Sequence, residues 1–326
     1  MTRLRVLFNV LETRDVNRFF PLVKSLGIES ASVFGSLRWK RLPRYFTAVA
    51  REFTDVCVNL LHDPAYRDEP GWREALQADC ARIVPALAAL GIHDYAWMIE
   101  GNLYGYPWNP LVGRYVHRNR LVDRFNAFYD AAHAANPRAR VIIVPYPHPL
   151  MNLDCGVRGW KDWWTLHGAK AKFDAAALNA HVGVWIPAAS RSRARRRLLD
   201  SVRFMQDRGF PPLYVEVGYP TAGRKPLVGW YGRGTERDQA RLLAACCEAL
   251  NDAGVPAMQI CELMDPDPSG QIYESFFGNE GKLPRFLGAP VVEEAHWGLL
   301  RKDGTEKPAC DWVRRVTGAE SKRRPQ

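Results

Sequence analysis

The sequence lacks any apolar run long enough to cross a membrane, because no stretch approaches the roughly 18 consecutive apolar residues that a spanning helix needs. Near the start of the chain, the apolar segment Val6–Val10 is too short for the core of a secretory signal, and no small-residue cleavage site follows it. Both absences argue against a membrane-spanning protein and against a standard exported precursor. We therefore expect a cytoplasmic protein with no membrane partner.

A recognisable cysteine framework is also missing. The 7 cysteines are an odd number and include no C-x-x-C pair, and Cys57 and Cys261 lie in apolar runs where a thiol acts as a small core hydrophobe. This usage fits a reducing compartment such as the cytoplasm. Nor do the acidic and His residues near the C-terminus follow a known metal spacing, so we expect no metal and no other cofactor; they are Asp265, Asp267, Glu293, Glu294 and His296.

Much of the net charge of +10 lies in Arg191–Arg197 and in the C-terminal tail. The aromatic interleaving and the binding motifs of nucleic-acid-binding proteins are absent, so we expect no specific nucleic-acid partner. A solvated helix face explains the arginine cluster, and residues 319–326 are predicted to form a disordered basic tail. An anionic polysaccharide remains open as a ligand.

No glycine-rich phosphate loop follows the first apolar run, which argues against an open dinucleotide-binding sheet. Instead, eight apolar runs alternate with eight helical patterns. This alternation predicts an α/β fold, a (β/α)8 TIM barrel with a single domain at 1–318. The predicted strands are Leu4–Val10, Ser30–Phe34, Asp55–Leu61, Tyr95–Glu100, Val141–Val144, His181–Ile186, Leu213–Gly218 and Ala257–Glu262. The predicted helices are Asp15–Leu26, Leu42–Phe53, Gly71–Leu90, Tyr115–Ala134, Trp160–Ala177, Arg193–Arg208, Thr235–Ala253 and Pro308–Val316, four of which stop at a glycine just before a strand.

Long loops after the fourth, fifth, seventh and eighth predicted strands are rich in aromatic, His and Asn residues. Active sites of such barrels lie at this end of the strands. Aromatic rings cover the apolar faces of sugar rings well, so the pattern predicts a cleft for an oligo- or polysaccharide. The predicted cleft residues are Trp108, Trp185, Trp230, Tyr231 and Trp297.

Two carboxylates occupy corresponding positions in the predicted barrel. Glu216 shares one strand face with Tyr214 and Gly218, and Glu100 shares the inward face of the fourth strand with Ala96. Strands four and seven oppose each other across an eight-stranded barrel, so the two acids can converge over its mouth. Carboxyl groups about 5 Å apart are what a double-displacement glycosidase requires. The alternative is a structural Glu216 paired with an Arg inside the barrel.

The segment Val215-Glu-Val-Gly-Tyr-Pro-Thr221 resembles the nucleophile motif of the clan A glycoside hydrolases. Gln239-Ala-Arg-Leu-Leu243 is similar to the helix that follows this motif in the family, and His296–Ala309 is similar to the family's closing segment, with its aromatic-Gly-Leu, Asp-Gly and Lys-Pro-Ala pattern. The resemblance implies a barrel whose catalytic Glu residues end strands four and seven, and a retaining mechanism.

One departure concerns the second acid. The family's fourth strand ends in Asn-Glu, whereas this chain continues Glu100-Gly-Asn-Leu103. Aligning on Gly-Asn places Leu103 at the position of the acid, which implies an impaired or altered enzyme. Aligning on the inward-facing carboxylate makes Glu100 the acid/base, with Asn102 beside it for a sugar hydroxyl, and this alignment is preferred on strand parity. A third reading assigns the second role to Glu262.

Further residues are predicted to bind substrate, with core packing as the alternative for each; they are Asn59, His62, Tyr146, His148 and Tyr219. The leading hypothesis is a retaining glycoside hydrolase with Glu216 as nucleophile and Glu100 as acid/base. The alternatives are a catalytically impaired carbohydrate-binding barrel, and a transglycosidase or lyase on the same scaffold.

Overall fold

A computed structural model describes residues 1–8, 13–60, 70–97, 121–145, 160–166, 168–180, 191–219, 221, 234–265, 285–286, 289–290 and 298–319. Eight parallel strands close into a barrel in sequence order, which confirms the predicted (β/α)8 fold. The strands are β1 (Arg3–Phe8), β2 (Ser30–Gly35), β3 (Asp55–Leu60), β4 (Asp94–Trp97), β5 (Arg140–Ile143), β6 (Ala175–Asn179), β7 (Pro212–Gly218) and β8 (Ala257–Cys261). A short antiparallel ribbon pairs β9 (Arg285–Phe286) with β10 (Ala289–Pro290).

Helices alternate with these strands as the sequence pattern predicts. Within the described ranges they are α1 (Thr13–Ser25), α2 (Tyr45–Glu52), α3 (Trp72–Ala88), α4 (Leu121–Ala135), α5 (Trp160–Leu166), α6 (Arg191–Gln206), α7 (Glu236–Asp252) and α8 (Ala309–Thr317). No helix among these residues is long and apolar enough to cross a membrane.

The predicted glycine terminations are confirmed. Gly27, Gly91, Gly209 and Gly254 follow α1, α3, α6 and α7, and all have positive φ angles, between 69° and 78°. Glycine adopts this left-handed conformation without a Cβ penalty, which lets the chain leave the helix within two or three residues of its end. At its other end, α7 begins with a capping box in which the Asp238 amide donates to Thr235 Oγ1 over 3.2 Å, and the Thr235 amide donates to Asp238 Oδ2 over 3.1 Å.

The sixth strand was predicted at the wrong place. It lies at Ala175–Asn179, where the predicted helix Trp160–Ala177 ended, while α5 already stops at Leu166. The run of three alanines favours a helix by propensity, but β5 pairs with it in register, with Ile142 opposite Ala175 and Ile143 opposite Ala176. Tertiary pairing therefore outweighs local propensity here. The predicted strand at 181–186 lies outside the described residues.

Contacts within the chain divide it into two compact units. One unit contains Met1–Ser32, Ala180–Met205 and Tyr214–Gln326, and the other contains Val33–Asn179 and Gln206–Leu213. In the second unit, the fully buried Trp97 of β4 stacks on Phe128 and meets Phe125 edge-on, with ring centroids 4.8 and 6.1 Å apart. These rings fix α4 against β4. The predicted single domain at 1–318 stays a prediction, and residues 320–326 of the predicted tail lie outside the described residues.

In the first unit, the closing segment pairs with the chain that leaves β8. The Leu299 amide donates to the Glu262 carbonyl, and the Asp265 amide donates to the Leu300 carbonyl, over 2.9 and 2.8 Å. Gly298 lies where these two stretches approach most closely, because a Cβ on Gly298 would stand only 2.2 Å from the Asp265 nitrogen. The glycine of the aromatic-Gly-Leu motif is therefore required by the close packing of two backbones.

We expect Gly298→Ala to lower the free energy of unfolding by about 3 kcal/mol or more, because the new methyl group can be accommodated only by moving backbone. The matched control is Gly254→Ala, which meets open space but has a φ of 70°, and should cost only about 1 kcal/mol. Urea denaturation of both variants measures the difference. Equal losses for the two variants would contradict the packing argument.

Candidate active site

Glu216 lies on β7, two residues before the strand ends at Gly218. Its neighbours Val215 and Val217 are completely buried, and Glu216 itself is only 5% exposed. On the adjacent strand β8, Gln259 stands directly opposite Glu216 in the register. The predicted position of this carboxylate, near the C-terminal end of the seventh strand, therefore agrees with the structure.

The Glu216 carboxylate belongs to a hydrogen-bonded chain of side chains inside the barrel. Gln259 Nε2 donates to Glu216 Oε2, and Ser32 Oγ on β2 is hydrogen-bonded to Gln259 Oε1. Since β1 lies between β8 and β2, side chains of β8 and β2 can meet only on the inner face of the barrel. Ser32, Gln259 and Glu216 therefore project into the interior.

A second polar contact lies in the same interior. The Arg5 guanidinium on β1 donates to the Ala31 carbonyl over 3.1 Å and lies 5.2 Å from the ring centroid of Tyr214. Tyr214 precedes Glu216 by two residues on the same face of β7. Arg5 and Tyr214 thus fill the barrel beneath the carboxylate with a stacked cation and ring.

Burial is the main influence on the protonation of Glu216. Loss of water raises the pKa of the carboxyl from 4.5 to about 7, although hydrogen bonds from the Gln259 and Cys261 side chains pull the pKa down. The carboxyl is therefore poised to exchange its proton near neutral pH. Such a perturbed group in a barrel interior is a candidate for chemistry.

The loops that follow β7 and β8 are held by two buried side chains. Gln239 of α7 donates through Nε2 to the carbonyl groups of Tyr219 and Gly298, over 3.1 and 3.2 Å. Lys307 Nζ donates to Thr221 Oγ1 over 3.0 Å and to Asp265 Oδ1 over 2.7 Å. Gln239 of α7 and Lys307 of the closing segment therefore hold the chain that follows β7 and the chain that follows β8.

Lys307 is almost completely buried, at 2% exposure. Burial lowers the pKa of its ammonium group, and the adjacent Asp265 carboxylate acts in the opposite direction. Removing either partner of this buried pair would leave an uncompensated charge. The contact between Lys307 and Asp265 therefore holds the closing segment firmly against the chain that follows β8.

Three of the other predicted site residues are described. Asn59 is buried on β3, and its Oδ1 lies 3.9 Å from the Cys57 thiol. Tyr219 is buried directly after β7, and loss of water raises the pKa of its hydroxyl. Glu262 is buried after β8 and follows a cis peptide bond. The remaining predicted residues lie outside the described ranges; they are Glu100, Asn102, His62, Tyr146, His148, Trp108, Trp185, Trp230, Tyr231 and Trp297.

Ser32, Gln259 and Arg5 are interior residues that the sequence analysis missed. Gln259 interrupts an otherwise apolar strand, as Glu216 does, and the same parity argument would have placed it inward. Ser32 gave no comparable signal, because a serine in a strand is compatible with either face. Within the described ranges, no three His, Cys, Asp or Glu side chains cluster as metal ligands would.

The raised pKa of Glu216 predicts a specific pH dependence of stability. The folded protein keeps this proton in the pH range where the unfolded chain has already lost it. Its contribution is therefore fully present below pH 4.5 and is lost as the pH rises through about 7, by about 3 kcal/mol in total. Denaturation of the wild type and Glu216→Gln between pH 4 and roughly 8.5 measures the effect. A stability difference between them that stays constant with pH would contradict it.

No family model and no curated protein sequence matches this chain. Solved structures do match it, over nearly its whole length. A GH5_18 protein from Streptomyces cattleya in complex with Manb1-4GlcNAc has a TM-score of 0.65 at 16% identity, covering 100% of this chain and 82% of that one. An exo-beta-1,4-mannosidase from Opitutaceae bacterium strain TAV5 has a TM-score of 0.63 at 14% identity, covering 99% and 60%.

A β-glucuronidase from Bifidobacterium dentium has a TM-score of 0.64 at 15% identity, covering 97% of this chain and 46% of that chain. This chain therefore spans about half the length of the β-glucuronidases that it matches. At these identities the likeness concerns the fold. The barrel is of the kind found in glycoside hydrolases, as the resemblance to clan A implied.

Proposed function

We propose that this chain is a retaining glycoside hydrolase that acts on an oligo- or polysaccharide, with Glu216 as the nucleophile and Glu100 as the acid/base. The observation that carries the proposal is the Glu216 carboxylate, which projects into the barrel interior near the C-terminal end of β7 and accepts a hydrogen bond from Gln259. The C-terminal ends of the strands are where barrel enzymes carry out their chemistry.

The proposed reaction proceeds by double displacement. A Glu216 oxygen attacks the anomeric carbon as the glycosidic C–O bond breaks, and Glu100 gives its proton to the leaving oxygen. Glu100 then removes a proton from water, which attacks the same carbon and releases Glu216. The sugar leaves with its original anomeric configuration, and both carboxyl groups return to their starting states.

The ionisation of Glu216 sets the pH range of this reaction, because only the carboxylate form is a nucleophile. Since the pKa of its carboxyl is raised to about 7, nucleophilic attack should become efficient only as the pH rises past neutrality. The opposite assignment, with Glu216 as proton donor, requires activity to fall over the same range. The direction of the pH profile therefore separates the two roles.

The choice of sugar follows from the structural neighbours, which bear the names mannosidase and glucuronidase. Aryl β-mannosides and aryl β-glucuronides are therefore the first substrates to test. A net charge of +10 gives the anionic glucuronide an additional electrostatic attraction to the protein.

We expect Glu216→Ala to lower kcat by about a thousandfold or more on whichever aryl glycoside the wild type hydrolyses, because the covalent step is lost. Glu248→Gln is the matched control, since Glu248 is an exposed carboxylate on α7 and should leave kcat unchanged. Near wild-type turnover by Glu216→Ala would exclude the nucleophile role. A product whose first-formed anomer is inverted, seen by proton NMR, would exclude double displacement.

The pH profile is a second test. The acid limb of kcat/KM should have its midpoint at about 7, the raised pKa of Glu216 in the unliganded protein, with activity rising towards alkaline pH. A profile that instead falls through this midpoint would identify Glu216 as the proton donor. Sugar binding without turnover at any pH would favour the alternative of a carbohydrate-binding barrel.

A further inference from the structure

We propose that Gln259, held in place by Ser32, is a positioning residue that fixes the Glu216 carboxylate and stabilises its ionised form. Its catalytic consequence rests on the proposed function, whereas its effect on the Glu216 carboxyl does not. Neither residue belongs to the motifs that carry the resemblance to the clan A glycoside hydrolases.

The orientation of the Gln259 amide follows from the chemistry of its partners. An ionised carboxylate only accepts hydrogen bonds, so the amide group that faces Glu216 must be the NH2 group. The amide oxygen then faces Ser32, and the Ser32 hydroxyl must donate to it. Turning the amide over would set its oxygen against a carboxylate oxygen, so Glu216 selects the orientation, and the Ser32 hydroxyl, which can donate or accept, hydrogen-bonds to the amide end that remains.

Burial strengthens the hydrogen bonds between Ser32, Gln259 and Glu216. Ser32 and Gln259 are both 0% exposed, so neither side chain can exchange its partner for bulk water. The backbone reinforces the contact, because Gln259 stands opposite Glu216 in the register of β7 and β8, and opposite Arg5 in the register of β1 and β8. A hydrogen bond to a charged group is strongest in such a water-excluded interior.

Several titratable groups share this environment. The Cys261 thiol on β8 is hydrogen-bonded to Glu216, Glu262 follows on the same strand end, and Arg5 of β1 and Tyr214 of β7 lie in the interior. Ser32 and Gln259 themselves have no ionisable group in the working pH range. Their influence on Glu216 is therefore constant with pH.

The direct test measures the Glu216 carboxyl itself. In protein labelled with 13C at the glutamate carboxyl carbon, the Glu216 signal is assigned by its loss in Glu216→Gln and followed as a function of pH. Gln259→Met keeps the length of the side chain but removes the donor, and should raise the titration midpoint by about one pH unit or more. Ser32→Ala should shift the midpoint in the same direction by a smaller amount, because it loosens the amide.

Thr2→Val is the matched control. The Thr2 hydroxyl donates to the Val255 carbonyl over 2.9 Å, also in a buried setting, but it precedes β1 at the opposite end of the strand from the site. The variant should lower stability while leaving the Glu216 titration unchanged. A shift confined to the Gln259 and Ser32 variants therefore reports the contact and not a general loosening of the barrel.

The catalytic part is tested by the pH profile of kcat/KM. In Gln259→Met the acid limb should move by the same amount as the carboxyl titration, so that activity at pH 7 falls by about fivefold for a shift of one unit. A folded Gln259→Met protein whose Glu216 titrates as in the wild type would overturn the proposal. If that variant does not fold, an unchanged titration in Ser32→Ala overturns it equally. A shifted titration in a protein whose wild type hydrolyses no glycoside supports the positioning role and instead refutes the proposed function.

Discussion

The removal of one carboxylate from water is the constraint on which the candidate site depends. An ionised carboxylate in a barrel interior carries a large desolvation cost unless fixed donors replace its water. Gln259 supplies such a donor from the neighbouring strand, Ser32 fixes the Gln259 amide, and the Cys261 thiol contributes a further hydrogen bond. These donors offset only part of the cost, which is why the pKa of Glu216 remains raised, at about 7.

The segments that resemble the clan A glycoside hydrolases contribute to the site in different ways. Glu216 brings a buried carboxylate with a raised pKa, whereas Gln239 and Lys307 hold the chain that leaves β7 and β8. Gly298 allows the closing segment to approach that chain at a distance that no Cβ would permit. In the described part of the family-like pattern near the C-terminus, Gly298 and Lys307 are therefore explained by backbone packing and buried polar contacts.

The barrel was predictable because alternation of strands and helices is a property of the whole chain, and the loss of one element does not hide it. The sixth strand was misplaced for a local reason: Ala175 to Ala177 favour a helix, and only pairing with β5 makes them a strand. Strand parity located Glu216, and applied to β8 it would have located Gln259. The contact between Ser32 and Gln259 could not be predicted from the sequence, because it joins residues 227 positions apart.

The covalent intermediate that the proposed mechanism forms at Glu216 can be measured directly. A 2-deoxy-2-fluoro glycoside with a good leaving group slows the release of sugar, so the ester accumulates on the nucleophile. Mass spectrometry of peptides from the treated protein should find the added sugar on Glu216. Inactivation with the label on another carboxylate, or turnover of the parent glycoside with no label on Glu216, would contradict the account.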